Sequence, residues 1–185
     1  NAILYCNVTP VFCDIDEETM NIDPDKIESL ITNKTKAIIV VDFAGQPCDY
    51  HKIKKICNKY NLVLIEDAAH SIGCKVNSCI TKPKVGSIAD ITTFSFHPVK
   101  NITTCEGGMT VTNNEEFYKR MKSFRTHGIT KDYKERESTA SHYYEMVQLG
   151  FNYRIPDLLC SLGINQMNKL DNFIKRRQEI AKIYD

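Results

Sequence analysis

No stretch of these 185 residues stays apolar long enough to cross a bilayer as a helix, so no membrane span is expected. Neither sign of charge dominates: 24 Lys and Arg stand against 23 Asp and Glu, a formal net charge of +1. A chain so balanced lacks the basic footprint that would draw it to nucleic acid or an anionic membrane. Residues Asn1 to Cys6 lack a basic n-region and are too short for a signal core, so no secretory leader is expected. The eight cysteines contain no Cys-x-x-Cys pair and there is no paired-His spacing, so no metal site is expected. Most of the cysteines lie in apolar stretches, where a free thiol behaves as a small hydrophobe. They read as reduced structural thiols, which points to a reducing, cytoplasmic compartment. The sequons at Asn7, Asn33 and Asn101 are read as incidental. No internal repeat or low-complexity tract is present.

What is present is an alternation of short β-branched runs and amphipathic stretches. Val11–Ile15 predicts a strand. Asp23-Pro24 supplies an N-cap and a first-turn proline for a helix reaching about Ile31. Residues 36–42 (KAIIVVD) predict a buried strand, followed by a loop through Gly45-Gln46-Pro47. Tyr50, Ile53, Ile56, Cys57 and Tyr60 form one stripe of a helix over Asp49–Tyr60. A strand over Leu62–Glu66 completes a β-α-β-α-β order whose helices are long enough to cross between parallel strands. Lys75–Ser87 suggests a surface hairpin. A strand from Asp90 into Phe96, a loop bearing Lys100, a strand over Met109–Thr112 and a helix capped by Asn114 come next. Thr126–Met146 is polar and reads as a long loop, and Pro156–Met167 and Lys169–Tyr184 read as closing helices. The class is α/β, with a mostly parallel sheet flanked by helices.

Two residues carry the chemistry. Asp67 ends one apolar strand and Lys100 follows another, and in open α/β sheets ligands bind beyond the carboxyl ends of the strands. A lysine there can form a Schiff base with an aldehyde cofactor while an aspartate pairs with that cofactor's pyridinium nitrogen, which is pyridoxal phosphate chemistry. Each residue also has a plainer use. A lysine can be solvated surface, an aspartate can close a strand-end turn, and a serine between Phe94 and Phe96 can be the polar side of a strand.

Five motifs occur in order: Glu66-Asp67-Ala68-Ala69-His70-Ser71-Ile72-Gly73, Phe94-Ser95-Phe96-His97-Pro98-Val99-Lys100, Glu106-Gly107-Gly108, Arg125-Thr126-His127-Gly128 and Gly150-Phe151-Asn152-Tyr153-Arg154. Together they resemble the DegT/DnrJ/EryC1/StrS family of sugar-nucleotide aminotransferases, over essentially the whole chain. The resemblance implies the aspartate aminotransferase-like architecture (fold type I). It implies Lys100 as the catalytic residue that holds pyridoxal 5'-phosphate and carries the proton between carbons. Asp67 would sit on the ring nitrogen, His70 beside the phenolic oxygen and Ser95 on the phosphate. Asn152 would reach the phosphate from the neighbouring subunit of a homodimer. Tyr153, Arg154 and His127 would be candidates for contacts to the substrate carboxylate or nucleotide.

Finer likeness lies in Asp42-Phe43-Ala44-Gly45-Gln46-Pro47-Cys48-Asp49 and in Asn101-Ile102-Thr103-Thr104. It implies transfer from L-glutamate to C4 of a UDP-linked 4-keto-6-deoxy-N-acetylhexosamine, as in pseudaminic acid-type biosynthesis. Residues 1–150 would be part of the cofactor-binding large domain, incomplete at both ends. Residues 151–185 would be a trailing loop and helices leading toward a smaller C-terminal domain. The family's upstream Gly/Ser/Thr-rich phosphate segment lies outside these residues, and Pro156-Asp157-Leu158-Leu159-Cys160 departs from the family pattern after Asn-Tyr-Arg. The alternatives are another nucleotide-sugar aminotransferase of the family, its dehydratase branch, whose members resembling 3-dehydratases carry histidine in place of the lysine, and a non-catalytic remnant of the fold.

Overall fold

The computed structural model describes residues 1–77, 81–131, 133–140 and 142–185. Its contacts divide the chain into two units, Asn1–Ser95 and Phe96–Asp185. The first begins with a single turn, α1 (Ala2–Tyr5), and a second, α2 (Pro24–Ile27), that tightens into a 3-10 turn over Glu28–Leu30. As the sequence predicts, Asp23 caps α2, its side chain accepting from Asp25 N–H, and Pro24 costs nothing at a position whose N–H has no helical partner.

Three β-branched runs then build a parallel sheet: β1 (Ala37–Val41), β2 (Val63–Asp67) and β3 (Ile91–Ser95). The register places Val41 opposite Asp67 and Asp67 opposite Thr93, so the carboxyl ends of the three strands lie side by side. The helix α3 (Tyr50–Tyr60) crosses from β1 to β2. Asp49 caps it through Lys52 N–H, and Asn61 closes it in the left-handed conformation that asparagine tolerates. Its stripe of Tyr50, Ile53, Ile56 and Cys57 is buried in one core with Ile38, Val40, Leu62 and Leu64, whereas Tyr60 is exposed at the helix end.

Val11–Ile15 is not a strand. A strand needs a partner along its length to pair its backbone groups, and among the described residues only Ile15 is bridged, antiparallel to Ile22; Val11 and Phe12 are exposed. The expected hairpin is present as a bridge between Lys75 and Lys84, held by Val76 N–H to Pro83 and Val85 N–H to Cys74. Its tip, with Cys79, lies outside the described residues.

In the second unit, β4 (Gly108–Val111) leads to α4 (Glu115–Arg125). Asn114 caps α4 by accepting from the N–H groups of Glu116 and Phe117. The segment expected as a long loop, Thr126–Met146, contains a short helix, α5 (Tyr133–Ser138), and its ends are pinned by the bridges Thr126–Asn152 and Ile129–Met146. Lys134-Glu135-Arg136-Glu137 is a run of good helix formers, a local propensity that overall polarity conceals. The helices α6 (Asp157–Met167) and α7 (Leu170–Tyr184) match the prediction. Among the described residues, no helix is long and apolar enough to cross a membrane.

Candidate active site

Alternation along β2 decides where its carboxylates go. Leu64 and Glu66 face the buried side, so Asp67, one residue on, faces the other and is half-buried. Asp67 Oδ1 accepts from Ala69 N–H at 3.0 Å, which turns the chain sharply and leaves Oδ2 without a donor among the described residues. His70 stands exposed on the same turn. Ser95 ends β3, two residues beyond Thr93, the register partner of Asp67. The first unit therefore gathers Asp67, His70 and Ser95 at the carboxyl ends of adjacent parallel strands, where such sheets bind ligands.

Beneath them lies a polar cluster that the motifs do not mark. Asp42 and Glu66 are fully buried, with Tyr50, Ser71 and Thr92. Asp42 Oδ1 accepts from Cys48 N–H at 3.0 Å and from the Tyr50 hydroxyl at 2.7 Å, and Oδ2 accepts from the Ser71 hydroxyl at 2.7 Å. Glu66 Oε2 accepts from the Thr92 hydroxyl at 2.6 Å and from Gly86 N–H at 3.2 Å. Burial pushes the Glu66 carboxyl above the usual range against the pull of the Thr92 and Tyr50 hydroxyls, and the Asp42 carboxylate pushes it further. Burial and the same two carboxylates raise the Tyr50 hydroxyl and the Cys48 thiol strongly. A signal for this cluster exists in the sequence. Asp42 continues the buried phase of Ile38 and Val40, and Glu66 that of Leu62 and Leu64.

In the second unit, Lys100 is half-buried on a loop closed at its base by Phe96 N–H to Gly107 at 2.9 Å and Thr104 N–H to Phe96 at 3.0 Å. Lys100 N–H donates to His97 C=O at 3.0 Å. Ile102 and Thr104, both fully buried, anchor the loop. Gly107 is needed for close packing: a Cβ there would stand 2.5 Å from Thr104 Oγ1 and 2.7 Å from Ile155 Cδ1. The loop bearing Lys100 thus rests against Ile155, next to Asn152, Tyr153 and Arg154.

That stretch is itself tied to α4. His127 N–H donates to Phe151, Tyr153 N–H to Arg125, and Asn152 bridges Thr126. Phe151 stacks on Tyr153 at 4.7 Å between centroids and meets the edge of Phe124 at 5.1 Å. Asn152, Tyr153, Arg154 and His127 are all exposed. His127, at φ 57°, adopts a left-handed conformation in the turn before Gly128.

Each unit carries groups whose chemistry suits pyridoxal phosphate: in the first, Asp67, with a carboxylate oxygen that has no donor among the described residues, and Ser95, with a strand-end hydroxyl; in the second, Lys100, with an amine on an anchored loop.

The DegT/DnrJ/EryC1/StrS aminotransferase family model matches residues 1–185. The chain is 44% identical to the UDP-4-amino-4,6-dideoxy-N-acetyl-beta-L-altrosamine transaminase of Campylobacter jejuni (serotype O:23/36), over all of this chain and 47% of that protein. Its fold matches Helicobacter pylori PseC, an aminotransferase of pseudoaminic acid biosynthesis, with a TM-score of 0.89 and 36% identity, over 99% of this chain and 46% of that one. A Streptococcus pneumoniae protein described as a sugar aminotransferase, Spr1654, in its PLP-form, matches with a TM-score of 0.85 and 33% identity, over 99% of this chain and 49% of that one. The expected aminotransferase architecture is therefore the observed one. The chain spans about half the length of the curated relatives it matches.

Proposed function

The chain belongs to the DegT/DnrJ/EryC1/StrS aminotransferase family, and from that premise we propose that the full-length protein is a pyridoxal phosphate-dependent sugar-nucleotide aminotransferase. Its reaction moves an amino group from L-glutamate to C4 of a UDP-linked 4-keto-6-deoxy-N-acetylhexosamine. The likeness to the Campylobacter and Helicobacter enzymes favours that sugar. The observation that carries the reading is Asp67, held at the end of β2 with one carboxylate oxygen open, together with Lys100 on its anchored loop. The lysine also separates this chain from the histidine-bearing dehydratase branch.

Pyridoxal phosphate, when bound, supplies an electron sink for the carbanion at the donor's Cα. Asp67 would pair with the protonated ring nitrogen, its Oδ1 held in place by the Ala69 N–H at 3.0 Å. Lys100 would hold the cofactor through its amine, and that amine would carry the proton between carbons. Ser95 would donate its hydroxyl to the phosphate, and His70 would lie beside the phenolic oxygen. Asn152, exposed between Phe151 and Tyr153, would reach the phosphate of a partner subunit in a homodimer. Arg154, with Tyr153 and His127 close by, takes the donor carboxylate or the nucleotide. Residues 1–150 belong to the cofactor-binding large domain, 151–185 lead toward the small domain, and the enzyme works in the cytoplasm.

The test is borohydride reduction of the full-length protein with pyridoxal phosphate, and then peptide mapping. A pyridoxyl label on Lys100, lost in Lys100→Ala, is the expected result, with nitrogen transfer to the UDP-4-keto sugar in the wild type. An unlabelled, folded wild-type protein would remove the proposal.

A further inference from the structure

Asp42 is fully buried, and it grips both ends of the turn that carries Asp67 and His70. At the first end, Asp42 N–H donates to Asp67 C=O at 3.1 Å. At the other end, the Ser71 hydroxyl donates to Asp42 Oδ2 at 2.7 Å. Between those points lie Asp67, Ala68, Ala69 and His70, a five-residue span with Ser71 that closes on itself through Ser71 N–H to Ala68 C=O at 3.1 Å. The loop after β1 also presses on this turn from the side: Gly45 approaches so closely that a Cβ there would stand 2.9 Å from His70 C=O. Gly45 is itself held by its N–H to Asp42 C=O at 3.2 Å.

The remaining acceptor capacity of Asp42 fixes the carboxylate. Oδ1 takes Cys48 N–H and the Tyr50 hydroxyl, both from the entrance to α3. Three donors on a fully buried carboxylate leave it little freedom to rotate.

We propose that Asp42 is a positioning residue of the active site, a two-point clamp whose backbone N–H and carboxylate hold the Asp67–Ser71 turn in place. The clamp follows from geometry within the first unit alone. Its consequence for catalysis rests on the function proposed above.

Each donor to Asp42 tests a different role. Ser71→Ala removes one tether of the turn, whereas Tyr50→Phe removes one buried hydrogen bond of similar length that does not touch it. In the full-length protein without cofactor, amide hydrogen exchange at Ala68, at position 71 and at Cys74 is compared with that of β1. Ser71→Ala is expected to speed exchange in the turn at least tenfold relative to β1, and Tyr50→Phe to change the two regions alike. Equal effects on both regions in Ser71→Ala, or a turn opened as much by Tyr50→Phe, would overturn the clamp. Should Ser71→Ala fail to fold, Ser71→Cys keeps the volume with a weaker donor and faces the same criterion.

In the cofactor-loaded protein, Ser71→Ala is expected to lower kcat about tenfold while KM for the amino donor stays within about twofold, the mark of a misplaced Asp67 and not of lost binding. An unchanged kcat would overturn the catalytic consequence. A wild-type protein that takes no label on Lys100 would sink the proposed function, and the exchange experiment would still judge the clamp.

Discussion

Asp67 and Glu66 are neighbours with the same functional group and opposite environments, and one step of β alternation separates them. Glu66 is sealed in the core beside Asp42, where burial favours its protonated form. Asp67 is half-buried, braced by one backbone N–H and open at its other oxygen, the setting in which a carboxylate can face a cationic ring. Asparagine at position 67 would keep the shape and lose the charge. Asp67→Asn in the full-length protein should lower single-turnover deamination of L-glutamate roughly a hundredfold to a thousandfold, the range for removing one preorganised electrostatic partner. The borohydride label on Lys100 should persist; a rate within about threefold of wild type would show that Asp67 does not serve the ring nitrogen. At this scale the sequence was legible where a motif gathers chemistry, as at Asp67 and Lys100. Asp42 and Ser71 escaped because nothing in their types distinguishes a buried clamp from a turn aspartate and a loop serine; only the phase of the neighbouring apolar residues hints at it.

Elements were legible where local chemistry is sufficient. Asp23, Asp49 and Asn114 each accept backbone N–H groups at the first turn of a helix, and each could be read from its residue type and the helix-forming stretch behind it. The strands β1, β2 and β3 announce themselves as β-branched runs. Val11–Ile15 has the same composition without a partner strand among the described residues, and strand formation is a property of pairs, which one run cannot reveal. The loop bearing Lys100 shows the same limit from the other side. Its anchoring depends on Gly107 lying against Thr104 and Ile155, a contact across 48 positions of sequence from the glycine to the isoleucine. Gly107→Ala forces a methyl group into that contact and should cost about 1–3 kcal/mol as an overpacked site. Urea unfolding measures the cost. A loss of less than about 0.5 kcal/mol would mean that the loop relaxes freely, and that Lys100 is less firmly anchored than the packing indicates.

For the whole molecule, family was easier to read than stability. Five motifs in fixed order are a long-range pattern that composition does not supply, and the fold comes with the family. Stability depends instead on a few buried groups whose balance emerges only on folding, and Glu66 gives it a definite sign with pH. Its ordinary value is 4.5, and the fold raises it, through burial first and the Asp42 carboxylate further on. Above pH 4.5 the unfolded chain releases this proton while the folded chain retains it. In that window the native state binds more protons, and linkage requires its stability to fall as pH rises, until the folded value is passed and the loss is complete. Glutamine keeps the shape and hydrogen-bonding atoms of the neutral carboxyl and has no proton to lose. Glu66→Gln should therefore gain on the wild type steadily as pH is raised from 4.5, read as a widening gap between urea midpoints across a pH series. Parallel midpoints across that series would show that Glu66 titrates alike in both states. The Thr92 and Gly86 donors would then hold a carboxylate ionised in the core, and the charge on Asp42 would have to be offset by a group other than a protonated neighbour.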